Sequence, residues 1–196
     1  NGTFINGGSY NFGTSTAVTN VYGTFKNQGY MANTSSARLI FKAGSTFDHA
    51  KDGDAIPDAS WAVTSTCLVT GVVTNPPYIS LLSQPLGNLT WNCPGQVGSV
   101  DLNGDYRQID GDFTIISTNN YYIQLGRNLS TDLRVKGNVS VSGYLAIGPV
   151  LAANSRTMTV DGNFSFTSGL IYISPANGTG TLDVKGNFSS AGTFNF

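Results

Sequence analysis

One short phrase returns through the later part of this chain and limits its fold more than any other feature. It reads G-N-V-S-V from Gly137, G-N-F-S-F from Gly162 and G-N-F-S-S from Gly186, with looser copies G-N-L-T-W from Gly87 and G-D-F-T-I from Gly111. The glycines are 24, 26, 25 and 24 residues apart. A lead-in recurs as well: L-R-V-K before Gly137, M-T-V-D before Gly162 and L-D-V-K before Gly186. A second apolar phrase follows each copy, as in S-G-Y-L-A-I from Ser142 and S-G-L-I-Y-I from Ser168. Self-similarity at a fixed period of this size marks a stack of equivalent units, a solenoid.

Within each unit apolar and polar residues alternate, as in Leu133, Val135 and then Val139, or Leu182, Val184 and then Phe188. Alternation is the strand pattern, because successive side chains on a strand point to opposite faces. All 11 acidic residues are Asp, so the helix former Glu is absent, while Thr, Tyr, Phe and Val are plentiful. The chain therefore reads as all-β: a parallel β-helix of about eight coils, each of 21–26 residues, with one irregular coil. The alternative is a β-sandwich or jelly roll, whose strands also recur at short spacing; the fixed period favours the solenoid. The Gly-Asn pair is expected at a corner, since both residues tolerate the left-handed conformation. Coils in register would then stack Asn88, Asn138, Asn163 and Asn187, with Asp112, in a ladder bonded amide to amide.

At 196 residues the chain reads as one domain. Residues 1–47 suit shorter coils, with Gly2, Gly23 and Gly44 spaced by 21. Residues 48–86 break the rhythm and hold the Pro76-Pro77 pair, which a central strand rejects; an irregular coil with a loop excursion is expected there. Regular coils fill 87–196. Neither end carries an evident polar cap, which fits either a piece of a longer solenoid or head-to-tail contact in which another copy covers each end. A net charge of −1 with 11% charged residues gives no electrostatic footprint for nucleic acid. The longest apolar run, Tyr144 to Ala153, falls far short of the ~20 residues of a membrane span.

Cys67 and Cys93 have the same separation in sequence as Gly111 and Gly137, one late-repeat period. Residues one coil apart stack at a separation that a disulfide tolerates, so the spacing predicts a Cys67–Cys93 bond and an oxidising, extracytoplasmic setting. The alternative is two buried free thiols. The densest reactive group is Asp48, His49, Lys51, Asp52, Asp54 and Asp58. Paired carboxylates of this kind could act on a glycosidic bond, and an ordinary solvated loop has the same composition. No zinc site is expected from the lone histidine. Asp101, Asn103 and Asp105 place oxygen ligands at alternate positions, as a calcium loop does, without its distal bidentate acid. Among the Asn-x-Ser/Thr sequons, those in the repeated phrase suit turns, whereas Asn33, Asn128 and Asn177 are the expected glycan acceptors.

The phrases D-A-S-W-x-x-x-S-T-C-x-V-T-G-V from Asp58, G-N-L-T-W-N-C-P-G-Q from Gly87 and V-D-G-N-F-S-F-T-S-G from Val160 resemble repeat-rich secreted surface proteins of the Bacteroidetes. The resemblance covers roughly residues 55–196, and the paired cysteines are its most specific part. It implies an extracellular or cell-surface protein with a structural or adhesive role, and it supplies no catalytic residues. The expected function is a non-enzymatic subunit of a surface fibre or the stalk of an adhesin. The alternative is a carbohydrate-binding or carbohydrate-degrading β-helix that uses residues 48–86 against surface glycans.

Overall fold

A computed structural model describes the chain except for residues 1, 14, 15, 33, 83, 128–130, 152 and 175–177. Strands, turns and loops account for all of the described residues, none of which is helical. Every strand ladder is parallel, and each coil visits three faces in turn. A β-sandwich or jelly roll needs antiparallel neighbours, so this is a β-solenoid.

The first face is one continuous ladder of nine rungs. They are Thr3–Asn6, Thr24–Asn27, Thr46–His49, Thr66–Val69, Asn88–Asn92, Phe113–Ser117, Val139–Ala146, Phe164–Tyr172 and Phe188–Ser190. Equivalent residues stand closer together in sequence in the early coils, as in Thr3, Thr24, Thr46, Thr66 and Asn88, than in the later ones, as in Phe113, Val139, Phe164 and Phe188. The second face is discontinuous. Ser9–Asn11 pairs with Tyr30–Ala32, and Ala55–Ile56 pairs with Tyr78–Ile79. Val100–Asp101 then begins a run through Tyr122–Gln124 and the later halves of the two longest strands to Thr193–Asn195. The third face carries Thr19–Val21, Leu39–Phe41 and Ser60–Trp61, and further on Gln108–Ile109, Leu133–Val135, Ser155–Val160 and Thr179–Val184.

Alternation decides what each face buries. Leu133 and Val135 point inward and Arg134 outward; Met158 and Val160 point inward and Thr159 outward. Because coils repeat in register, inward positions form columns. One column on the first face runs Phe4, Phe25, Phe47, Cys67, Leu89, Phe113, Val139, Phe164 and Phe188. Its aromatic members pack directly, Phe4 on Phe25 at 4.9 Å and Phe164 on Phe188 at 5.5 Å with rings 8° from parallel.

The first-face ladder passes through residues 48–86 without a break, with Thr46, Thr66 and Asn88 as successive equivalents. Spacing this short leaves no room for a long excursion. The irregularity lies instead on the second face, where the two-residue strands Ala55–Ile56 and Tyr78–Ile79 pair only with each other. Pro76 and Pro77 sit in the irregular segment just before Tyr78, and the buried Tyr106 hydroxyl donates to the Pro77 carbonyl at 2.9 Å.

Candidate functional site

The Gly-Asn phrase forms the corner that enters the first face. Main-chain bonds link the glycines up the rod: Gly111 N to Gly87 O at 2.9 Å, Gly137 N to Gly111 O at 3.0 Å, Gly162 N to Gly137 O at 3.0 Å and Gly186 N to Gly162 O at 3.1 Å. Beside them runs the predicted ladder. Asn88 Oδ1 accepts from Asp112 N at 2.8 Å, Asp112 Oδ1 from Asn138 N at 2.7 Å, Asn138 Oδ1 from Asn163 N at 3.0 Å, and Asn163 Oδ1 from Asn187 N at 2.8 Å. The bonds run from side-chain oxygen to the next main-chain N–H rather than amide to amide; Asn138 Nδ2 also donates to Asp112 Oδ1 at 3.2 Å, and Asn88 Nδ2 to Thr66 Oγ1 at 3.5 Å. Oxygen is the working atom, which is why Asp112 fits a column of asparagines.

The reason for glycine at this corner differs from the expected one. None of Gly137, Gly162, Gly186 or the asparagines after them has a positive φ. A Cβ on Gly162 would lie 2.6 Å from Gly137 O and 2.8 Å from Asn138 Oδ1, and one on Gly186 2.5 Å from Gly162 O. Lack of space, not handedness, selects glycine here.

Both ends of the rod expose apolar side chains. At the first rung, Phe4 is 47% and Ile5 59% exposed, above a depression of about 410 Å³ lined by Phe4, Tyr10, Val21 and Phe25. At the last, Phe188 is 53% exposed beside an apolar depression of about 410 Å³ lined by Ile173, Leu182, Phe188, Phe194 and Phe196. Thr3–Asn6 and Phe188–Ser190 each pair on one side only among the described residues, so each leaves a row of backbone donors and acceptors facing outward.

Asp48, His49, Lys51, Asp52 and Asp54 are each engaged by neighbouring groups, and Asp58 Oδ1 is buried without a hydrogen-bond partner among the described residues. Asp48 is buried, accepts from Thr70 Oγ1 at 2.6 Å and lies 3.5 Å from Lys26 Nζ. His49 is wholly buried with Nε2 2.7 Å from Gly53 O; burial pulls its pKa below the ordinary 6.5 despite that bond and the nearby Asp54. Lys51 Nζ bridges Gly29 O at 2.8 Å and Asp54 Oδ2 at 2.7 Å. Asp52 Oδ1 takes the N–H groups of Val73, Thr74 and Asn75 at 2.8–2.9 Å, while Oδ2 takes Thr74 Oγ1 and Asn75 Nδ2. Partial burial raises the Asp52 pKa, and these donors overcome that and hold it well below the carboxylate range. Asp52 organises the next turn and Asp54 is paired.

The predicted disulfide is absent: Cys67 and Cys93 are both free and buried. The equivalent of Cys67 one coil further on is Leu89, not Cys93, so Cys67 stacks between Phe47 and Leu89 in the first-face column. The local coil is shorter than the late-repeat period that the prediction assumed. Cys93 lies beyond the strand, where its Sγ donates to Val69 O at 3.4 Å. Burial pushes both thiols up, Cys93 to about 11 and Cys67 further.

Asp101, Asn103 and Asp105 form a corner. Asp101 Oδ1 accepts from Asn103 N at 2.8 Å and Arg127 N at 2.9 Å, and Asn103 and Gly104 are left-handed with φ of 52° and 69°. Among the described residues no three His, Cys, Asp or Glu side chains gather as a metal site would require. Asn33, Asn128 and Asn177 lie outside the described residues.

Two features lie outside the sequence expectations. A buried polar column, Asn6, Asn27 and His49, lines the exit from the first face in the early coils, with Asn6 Nδ2 donating to Asn27 Oδ1 at 2.8 Å. Its signal is the recurrence T-F-I-N, T-F-K-N, T-F-D-H. Arg156 occupies an inward position on the third face, 1% exposed, and none of its guanidinium nitrogens has a hydrogen-bond partner. Burial lowers its pKa to about 10 against the opposing pull of Asp132 and Asp101. None of the described chain forms a helix long and apolar enough to cross a membrane. No known protein family matches the chain, and neither a curated protein nor a solved structure resembles it.

Proposed function

We propose that the chain is a non-enzymatic structural protein of the cell exterior, a rod whose end rungs stack on those of further copies to make a surface fibre. The observation that carries this reading is the complementarity of the two ends. Thr3, Thr24, Thr46 and Thr66 occupy the same column as Asn88, Asp112, Asn138, Asn163 and Asn187. A first rung placed on a last rung would set the Thr3 N–H over Asn187 Oδ1, repeating the bond made at every later corner. The same placement sets Phe4 on Phe188, as Phe188 already sits on Phe164. Ladder, column and both apolar depressions would continue across the junction, burying surface whose burial contributes about 25 cal/mol per Å².

The extracellular placement is supported by the resemblance of the repeat phrases to secreted surface proteins. The non-enzymatic assignment is supported by the engagement of Asp48, Asp52 and Asp54 in turns and ion pairs.

Negative-stain electron microscopy of the purified chain across a dilution series tests the fibre. Filaments with an axial repeat of roughly 43 Å, from nine rungs at about 4.8 Å each, are expected, and Phe188→Asp should abolish them. Dispersed short rods at every concentration would overturn end-to-end assembly.

A further inference from the structure

In the later coils the first face runs into the second without a turn. Val139–Ala146 and Phe164–Tyr172 pass the corner as single strands, with a register shift between Val141 and Ser142. Outside this bend lies an open groove of about 560 Å³ that spans three coils, with Ser117, Asn119, Asn120, Ser142, Tyr144 and Ser168 among its lining residues. Its size falls in the range of small-molecule sites. No charged side chain lines it.

The groove wall continues as an aromatic ladder. Tyr144 pairs in register with Tyr122, their ring centroids are 5.2 Å apart, and Tyr172, one coil beyond Tyr144 and two residues along the strand, also has its ring 5.2 Å from that of Tyr122. These rings are half-buried on the outer surface, alternating with the inward Ile123, Leu145 and Ile171. Burial and the neighbouring Tyr172 push the Tyr122 hydroxyl up to about 12.

The polar lining is held in place. Ser142 Oγ and Ser168 Oγ are 2.9 Å apart on adjacent coils, and Asn119 Nδ2 donates to Gln96 O at 2.8 Å. Asn119 and Asn120 are consecutive left-handed residues with φ of 49° and 65°, and Gly169 has φ of 103°. Non-glycine residues in this region carry a conformational cost and cluster at ligand-binding rims.

Hydroxyls and amides that both donate and accept, next to flat rings and without any charge, match one chemical class. A sugar ring offers C–H groups to an aromatic face and hydroxyls to polar neighbours. Uronic or sulfated sugars would call for Lys or Arg. The rung spacing of about 4.8 Å is comparable with the advance of one hexose along an extended chain.

We propose that this groove binds a neutral oligosaccharide laid along the rod axis, with Tyr144 as its stacking platform and the Ser142–Ser168 pair and Asn120 as its polar contacts. The site lies on the side of the rod, and its last coil, Phe164–Tyr172, pairs directly with the terminal strands Phe188–Ser190 and Thr193–Asn195.

Affinity electrophoresis in gels containing galactomannan, xyloglucan, mixed-linkage β-glucan or dextran tests the proposal, with heparin as the anionic comparison. Mobility is expected to fall to half or less in at least one neutral gel and to stay unchanged with heparin. Tyr144→Ala and Ser168→Trp should each restore free mobility. The second fills the groove from an exposed position and keeps the test valid if the first unfolds, as circular dichroism would reveal. Tyr78→Ala, at an exposed ring on an earlier coil, should leave the retardation intact. Free mobility in all four neutral gels, equal retardation by heparin, or undiminished retardation of a folded Ser168→Trp would each overturn the assignment.

Discussion

Asn163 Oδ1 lies 2.8 Å from the main-chain nitrogen of Asn187, its equivalent one coil further along the rod. The same bond recurs at four successive corners, so each coil hands a side-chain oxygen to the backbone of the next. Asn163→Ala removes the acceptor and should lower stability by about 1 kcal/mol, the usual worth of one such bond. Asn163→Asp keeps the oxygen, as Asp112 does in the same column, and should stay near wild type. Urea denaturation of the two variants checks the contrast. Equal losses would mean that the amide nitrogen matters and that the oxygen-to-backbone reading is wrong.

Gly162→Ala should be far more damaging than an ordinary glycine replacement. Its Cβ would meet the Gly137 carbonyl and the Asn138 side chain inside normal contact distance, and neither can move without opening the coil spacing. A loss of about 3 kcal/mol is expected, at the upper end for overpacking. Gly95, whose added Cβ meets nothing within 4 Å, is the matched control. Thermal melts that place Gly162→Ala beside Gly95→Ala would refute the argument from space.

Stability should fall on mild acidification because of His49. Its folded pKa is depressed below 6.5 by burial, so below that value the unfolded chain binds the extra proton and the folded chain does not. The contribution is complete above pH 6.5 and is lost as pH drops through the folded value. Asp52 and Asp54, also depressed, add their losses only below the ordinary carboxylate pKa of 3.8. Denaturant midpoints at pH 8, 6.5 and 5 should decline in wild type, and His49→Asn should flatten that decline. A wild-type profile that is level between pH 8 and 5 would contradict it.

Both thiols should resist a thiol-specific disulfide reagent in the native state and react fully in guanidinium chloride. Burial hides them and raises their pKa, leaving little thiolate. Failure to titrate two thiols in unfolded, unreduced protein would reinstate the disulfide.

Arg156→Met should raise the melting temperature. A guanidinium buried without hydrogen bonds loses its hydration with no compensating contact, and an apolar side chain of similar length can stabilise by about 1 kcal/mol or more. Arg156→Ala, which leaves a void, should not. A destabilised Arg156→Met would show that the Asp132 and Asp101 fields hold the charge in place.

Much of this was legible because a solenoid writes its geometry as a period. Gly137, Gly162 and Gly186 are spaced by one coil, and the alternation around them marks inward and outward positions. The early coils are harder to align. Thr3, Thr24 and Thr46 fill the column that Asn fills later, and the shared property is a place in the backbone ladder rather than a side-chain type. The Cys67–Cys93 bond failed for a related reason: the later period was carried into a shorter coil, where Leu89 is the true equivalent of Cys67. The step from Leu89 to Cys93 is enough to carry a side chain from the strand to the corner beyond it. The groove beside Tyr144 was invisible as well, because Asn119, Tyr144 and Ser168 belong to three different coils.

Repetition and alternation are local properties of the string, so parallel strands stacked in coils can be read without coordinates. Which residues share a column, where glycine is required for space and which side chains meet across coils emerge once the chain is folded. Those outcomes depend on the residue count of each turn, where an error too small to disturb the period redirects every side chain that follows.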